Sequence, residues 1–253
     1  MKDPVVSVVI PVYNAEKYIE ETINSVLQQT FKDFEIIAVD DCSTDNSLQI
    51  LNALAEKDAR IRVFKNEKNS RVAETRNFGV QHAKGEFIAL LDADDKWKVD
   101  KLQKQLDFLK EKNGQLCFTS VEFIDDDGKL TGRTFLVPEK VNRKNLFKQN
   151  VITTSSVLIK TSLLKKYPMH NDELHEDFIC WLEVLQEVDF AFGMREILTI
   201  YRLAKNSKSR NKFKSMKMTY KTYRLVGENF IKSHIHLASY IIRSLKKYGK
   251  EAF

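Results

Sequence analysis

Three carboxylates within four residues, Asp92, Asp94 and Asp95, follow directly on the apolar run Phe87-Ile88-Ala89-Leu90-Leu91, with only Ala93 between the first two. Like charges this close repel one another unless a cation sits among them. A divalent metal bound to a diphosphate is such a cation, because hard ions accept one or two carboxylates together with phosphate oxygens. The alternative is a solvated acidic turn ahead of a helix. The metal is favoured because the preceding run has the length and composition of a buried central strand. Ligands of open α/β sheets bind where such strands end. A second acid pair, Asp40-Asp41, ends another apolar run, and a third, Glu176-Asp177, opens an apolar-periodic segment far downstream.

The elements that must hold these acids alternate regularly. Residues 5–12 are a β-branched run that reads as a strand, with Pro11 near its end, where a missing N–H is tolerated. Residues 16–29 carry Ile19, Ile23, Val26 and Leu27 at helical spacing. A strand over 34–39 stops at Asp40-Asp41, and Ser43-Thr44-Asp45 offers caps for a helix through Leu54. Strands at 61–64 and 87–91 enclose a helix at 72–82. This order predicts a doubly wound, mainly parallel α/β sheet flanked by helices. A helix over 99–112 and a strand over 115–124 follow, then a turn at Asp125-Asp126-Asp127-Gly128. Short elements come at 157–159 and 161–166, a helix at 176–188 and an extended stretch at 197–202.

Composition excludes several classes. A chain of 253 residues can bury roughly 70–75% of its unfolded surface, so no disulfide or structural zinc is needed. Cys42, Cys117 and Cys180 match no metal or redox spacing and point to a reduced, cytoplasmic setting. No leader and no membrane-spanning run is expected. Charge is uneven: 14 basic and 2 acidic residues fall from Ile200 onward, a net +12, leaving the first 199 residues at −6. A mildly acidic body with a basic tail suggests contact with an anionic surface. Nucleic acid is not among the expected partners.

Five segments in order, Val8-Val9-Ile10-Pro11-Val12-Tyr13-Asn14, Val39-Asp40-Asp41-Cys42-Ser43-Thr44-Asp45, Arg76-Asn77-Phe78-Gly79, Leu91-Asp92-Ala93-Asp94-Asp95 and His175-Glu176-Asp177, resemble the family 2 inverting glycosyltransferases. The resemblance covers about residues 5–202. It implies the GT-A nucleotide-diphospho-sugar fold over 1–204, with a nucleotide-binding half at about 1–115, an acceptor half at 116–204 and a helical appendage at 205–253. It implies a UDP-sugar donor held by Pro11, Tyr13, Asp41, Arg76, Asp92, Ala93 and Asp94. Tyr13 would stack on the base, Asp41 would accept the uracil imide N–H and Asp92 would contact the ribose. Mn²⁺ or Mg²⁺ would sit on Asp94 and Asp95. Inverting transfer needs one base on the acceptor hydroxyl, opposite the metal. Asp177 takes that role, with Glu176 in support, although acids in a first helical turn also simply favour the helix dipole. Trp181, one turn on, either stacks on a sugar or belongs to the core. Arg76 either reaches the acidic cluster or makes a surface salt bridge. Gly79 would allow close helix packing, and Ser43 and Thr44 would only cap a helix. The acceptor would be a glycan or lipid-linked hydroxyl in bacterial surface polysaccharide synthesis.

The chain departs from the family pattern at Cys42 and Arg71, where glycine is common, and at Val99, where proline is frequent. It also lacks a histidine after Tyr201-Arg202, leaving Lys205, Ser207, Lys208 and Ser209 as candidate diphosphate contacts. In the tail, Ile231, Ile235, Ala238, Ile242 and Leu245 form one helical stripe, with Lys232, Arg243, Lys246, Lys247 and Lys250 away from it. The stripe either packs on the body or a second subunit, the slightly favoured reading, or rests on the inner membrane leaflet. Two other function classes compete with glycosyl transfer. A nucleotidyltransferase would want a Gly-rich basic loop where Val12-Tyr13-Asn14-Ala15 stands, and a non-catalytic sugar-nucleotide or glycan-binding module would have no use for Asp94 and Asp177.

Overall fold

The structure, a computed structural model, describes residues 2–170, 174–203 and 212–248, with side chains described over 216–242 in the last segment. The first half runs β1 (Val6–Val12), α1 (Ile19–Leu27), β2 (Phe34–Asp40), α2 (Ser47–Ala55), β3 (Ile61–Lys65), α3 (Arg71–His82) and β4 (Phe87–Leu90). The second runs β5 (Lys96–Trp97), α4 (Lys101–Lys112), β6 (Leu116–Ile124), β7 (Leu130–Phe135), β8 (Lys140–Val141), α5 (Arg143–Leu146), β9 (Leu158–Lys160), α6 (Thr161–Lys166), α7 (Glu176–Val184) and β10 (Ala191–Arg202). Two helices, α8 (Lys212–Leu225) and α9 (Phe230–Tyr248), follow.

Among the described residues the ten strands form one sheet, ordered β3-β2-β1-β4-β9-β6-β10-β5, with β7 beside β6 and β8 beside β10. The β3-β2-β1-β4 half is parallel, as is β6 with β10. β9 runs antiparallel between β4 and β6 and joins the two halves. Both β1 and β2 are buried nearly end to end, as strands covered on both faces must be. Their alternation splits the core. Val8, Ile10 and Ile36 face α1, α2 and α4, while Val9, Ile37 and Val39 face α3, α6 and α7. Pro11 pairs only toward β2, because β1 leaves β4 at Val9. Its missing N–H therefore breaks no ladder.

Gly79 is where α3 presses on β1: a Cβ there would lie 2.5 Å from Val9 Cγ1. β1 has β2 on one side and β4 on the other, so the connections switch direction between β1 and β4. A switch of this kind opens a crevice at the strands' carboxyl ends, and there the sequence places Tyr13, Asp41 and Asp92. α8 and α9 pack on the body. Tyr223 enters the main core and donates its hydroxyl to the Phe147 carbonyl at 2.7 Å. His236 stacks on Phe147, ring centroids 4.9 Å apart.

Candidate active site

Two backbone bonds carry the crevice past the strand ends. Asp41 N donates to Val12 O at 2.8 Å, and Leu91 N donates to Val9 O at 3.1 Å. The turn after β1 is then locked to the turn after β2. Asn14 N donates to Ser43 Oγ at 3.1 Å, and Thr44 N donates to Asn14 Oδ1 at 2.8 Å. Ser43 and Thr44 were expected to cap α2; they brace the Tyr13 turn instead. Asp45 does the capping, accepting from Ser47 N at 3.0 Å. Tyr13 is left 53% exposed at the mouth of the crevice.

Asp41 is 3% exposed, and its carboxylate accepts from Asn66 Nδ2, Ser70 N and Arg71 N at 2.7, 2.7 and 2.8 Å. It therefore caps α3, a role not expected from the sequence. A carboxylate has about four acceptor sites, so one remains for a ligand donor. Cys42 and Arg71 both keep the left-handed backbone that glycine favours, at φ 60° and 68°. The loops retain the shape the glycines would give, at a cost of roughly 1–2 kcal/mol per residue.

The acidic turn after β4 is clamped from three elements. Thr22 of α1 donates its hydroxyl to Ala93 O or Asp95 O, both 2.9 Å away. Asp92 N donates to Ser155 Oγ at 3.1 Å. From the end of β10, Arg202 donates its backbone N–H to Asp95 Oδ1 at 2.8 Å and its Nε–H to Asp94 O at 2.9 Å. The Arg202 guanidinium also meets Glu21 at 2.8 Å, the carbonyls of Asp125 and Asp126, and the Tyr18 ring. The Asp125–Asp127 turn thus serves as a rest for Arg202. Asp94 is half-buried, and burial, then Asp92 beside it, push its carboxyl up to about 6. Asp95 is 1% exposed and pushed well above its ordinary range by burial, then by Asp94 and Asp92. Asp95 is thus the more enclosed of the two acids, and its Oδ2 meets no hydrogen-bond partner among the described residues.

Arg76 connects this turn to the remote acid pair. Its side chain is 6% exposed, and it donates to Asp92 Oδ1 at 2.5 Å and Glu176 Oε1 at 3.1 Å. Burial alone would lower its pKa; Asp92 and Glu176 outweigh burial and hold the guanidinium charged. This is a buried bridge, not a surface salt bridge. Asp177, next to Glu176 at the start of α7, accepts from Thr154 Oγ1 at 3.3 Å and Asn150 Nδ2 at 3.4 Å. The 3₁₀ turn Thr154–Ser156 therefore touches both the Asp92 turn and Asp177. Sequence reasoning missed Thr154, Ser155 and Arg202. Only Arg202 carried any signal, as part of the Tyr201-Arg202 pair, and its clamp on the acidic turn did not show in it.

Of its two readings Trp181 takes the core: it is 0% exposed within the main cluster, away from any sugar. At i+4 from Asp177 it follows α7 inward while Asp177 stays at the helix mouth. Lys205, Ser207, Lys208 and Ser209 lie outside the described residues. Among the described residues no set of three His, Cys, Asp or Glu side chains is placed to hold a metal by itself. A divalent ion still fits beside Asp94, where Asp92 and Asp95 crowd a third carboxylate, provided its other ligands come from a diphosphate.

The family model for Glycosyl transferase family 2 matches residues 7–167. TuaG of Bacillus subtilis (strain 168), a glycosyltransferase assigned provisionally to teichuronic acid biosynthesis, is 38% identical over 245 residues, 96% of this chain and 97% of TuaG. WfgD of Escherichia coli, a UDP-Glc:α-D-GlcNAc-diphosphoundecaprenol β-1,3-glucosyltransferase, is 33% identical over 251 residues, covering 98% of this chain and 97% of WfgD. Among solved structures, S. aureus TarS 1–349 in complex with UDP-GlcNAc superposes with a TM-score of 0.75 at 23% identity, over 95% of this chain and 72% of that one. A mannosyltransferase from Pyrobaculum calidifontis, in complex with GDP-Man and Mn²⁺, gives 0.70 at 16% identity, over 98% and 70%. These two share the GT-A fold. The acids that the sheet gathers at its switch point, and the match over most of the chain's length, agree: the protein is a glycosyltransferase and belongs to family 2.

Proposed function

We propose that the protein transfers a sugar from a nucleotide-diphospho-sugar, UDP-linked, to a hydroxyl of a glycan or lipid-linked acceptor during assembly of a bacterial surface polysaccharide. The observation that carries this reading is the Arg76 bridge, which ties an acid of the donor turn to the acid pair that opens α7. Teichuronic acid assembly in TuaG and the lipid-diphosphate acceptor of WfgD support the acceptor class.

In this reading Tyr13 stacks on the base, the remaining acceptor site of Asp41 takes the imide N–H, and Asp92 meets the ribose. Pro11 and Ala93 shape the floor between them. Asp94, with Asp95 beside it, would hold the divalent ion, Mn²⁺ or Mg²⁺. When bound, that ion offsets the charge of the departing nucleoside diphosphate. Asp177 takes the proton from the acceptor hydroxyl as that oxygen attacks the anomeric carbon from the face opposite the diphosphate, inverting its configuration. Arg76 holds Asp92 and Glu176 in place, and Thr154 and Asn150 orient Asp177. The protein works in the cytoplasm at the inner face of the membrane, where a lipid-linked acceptor is reached.

The test incubates the protein with UDP-glucose, UDP-GlcNAc or GDP-mannose, a lipid-diphosphate-sugar acceptor, and Mn²⁺ or a chelator. NMR then reads the product's anomeric configuration. Inverted product from a UDP-sugar, abolished by the chelator, is expected. Retained configuration, or full rate with the chelator, would overturn the reading.

A further inference from the structure

α9 packs on the body by one face, and among the described residues its apolar stripe is not that face. Ser233, His236, Leu237 and Tyr240 turn toward the body, with Leu237 packed on the main core and His236 on Phe147. At 100° per residue, the stripe Ile231, Ile235, Ala238 and Ile242 lies about 180° around the helix from that face. Ile231, Ile235 and Ile242 are 70%, 61% and 55% exposed, and Ala238 is exposed too. The stripe, expected to pack on the body or on a second subunit, therefore points away from the body; Leu245, its last position, lies outside the described side chains. Phe230 at the start of α9 and Leu225 at the end of α8 add two more exposed apolar side chains.

Charge decides what covers this face. Lys217, Lys221 and Arg224 of α8 and Lys232 of α9 are exposed on the same two helices, in a segment with a net charge of +12 from Ile200 onward. A symmetric contact with a second copy would set this basic patch against itself, because a two-fold interface uses the same surface twice. An anionic surface takes both the charge and the stripe. Among the described residues no helix is long and apolar enough to cross a membrane. We propose that α8 and α9 dock the protein on an anionic phospholipid surface, with Ile231, Ile235 and Ile242 entering the headgroup boundary and the lysines and Arg224 above it. This docking does not depend on the acceptor assigned above.

The test sediments the full chain with phosphatidylcholine vesicles, with and without phosphatidylglycerol, at about 0.1 M and about 1 M salt, where the Debye length falls from about 10 Å to about 3 Å. Three variants follow, all at exposed positions: I231S/I235S/I242S, K221Q/K232Q and the five changes together. Thermal unfolding confirms that each keeps the fold. Anionic vesicles should bind the full chain at the lower salt, and neutral ones about tenfold less or weaker. The serine variant should lose about tenfold or more. Each neutralised lysine should cost about fivefold at the lower salt and little at the higher. Full-length protein that ignores anionic vesicles, or a serine variant that binds like wild type, would overturn the proposal. So would light scattering that finds a dimer dissolved by I231S/I235S/I242S, since a second copy would then cover the stripe.

Discussion

Replacing Arg76 by methionine removes the guanidinium but leaves Asp92 and Glu176 facing the hole. The two lost ion pairs span 2.5 and 3.1 Å, and the arginine side chain is 6% exposed against 30% for Asp92 and 15% for Glu176. Removing one partner of a fully buried pair costs roughly 3–5 kcal/mol. Because Asp92 is partly wet, about 2–4 kcal/mol is expected. For a chain of 253 residues each kcal/mol shifts Tm by about 2 °C, so R76M should melt about 4–8 °C lower. The stranded carboxylates cause most of this loss. The variant R76M/D92N/E176Q should recover at least half of it, and a cycle built from the single changes should show coupling of about 1–3 kcal/mol. R76K keeps the charge but cannot fork to both acids, so it should fall between wild type and R76M. Urea unfolding at neutral pH measures each step. An R76M loss below about 1 kcal/mol, or additive single changes, would refute the buried bridge and with it the link between the donor turn and α7.

Three further outcomes follow from other parts of the structure. D94N should abolish Mn²⁺-dependent binding of UDP in calorimetry while leaving Tm within about 2 °C; unchanged metal-dependent affinity would remove Asp94 from the site. Lys101 is wholly buried over the Trp97 ring and bonded to Gln105, and burial pulls its amine from 10.5 down to about 7. The unfolded chain therefore binds a proton that the folded one lacks between about pH 7 and 10.5, so stability rises with pH across that window and is lost as pH falls to about 7. K101M should flatten this slope and gain about 1–3 kcal/mol at pH 7; an unchanged slope would show that the amine is not the cause. G79A gains helix propensity of about 1 kcal/mol but meets Val9 at 2.5 Å. Overpacking of this kind costs about 1–3 kcal/mol, so urea unfolding should show a small net loss, and G79A/V9A should lose less than the sum of the two single changes.

The parallel half of the sheet was legible because β1, β2 and β4 are largely apolar runs, two of which, β2 and β4, stop in acids, and a buried strand fixes where its end points. Gly79 was legible for a similar reason, since a glycine on the inner face of a helix marks close approach. What could not be read were contacts set by distant partners. β9 enters between β4 and β6 as three residues, Leu158–Lys160, too short to show direction or neighbours. Thr154 and Ser155 are ordinary turn residues until the sheet brings Asp92 and Asp177 to either side. Trp181 stayed open between core and sugar because helical spacing reports a shared face but not how steeply the helix dives into the core. The α9 stripe has the spacing of a core face. It lies outside because Phe147 offers its ring to His236 on the opposite side.

The most direct test of the account is the steady-state rate of D177N beside its donor affinity. Asparagine keeps the size of the side chain and can still meet Thr154 and Asn150, but it cannot take the acceptor's proton. Transfer should fall by about 10²–10⁴-fold, while UDP-sugar binding, Tm and Mn²⁺ dependence stay as in wild type. Wild-type turnover, or a loss confined to donor binding, would contradict the assignment of Asp177 as the base.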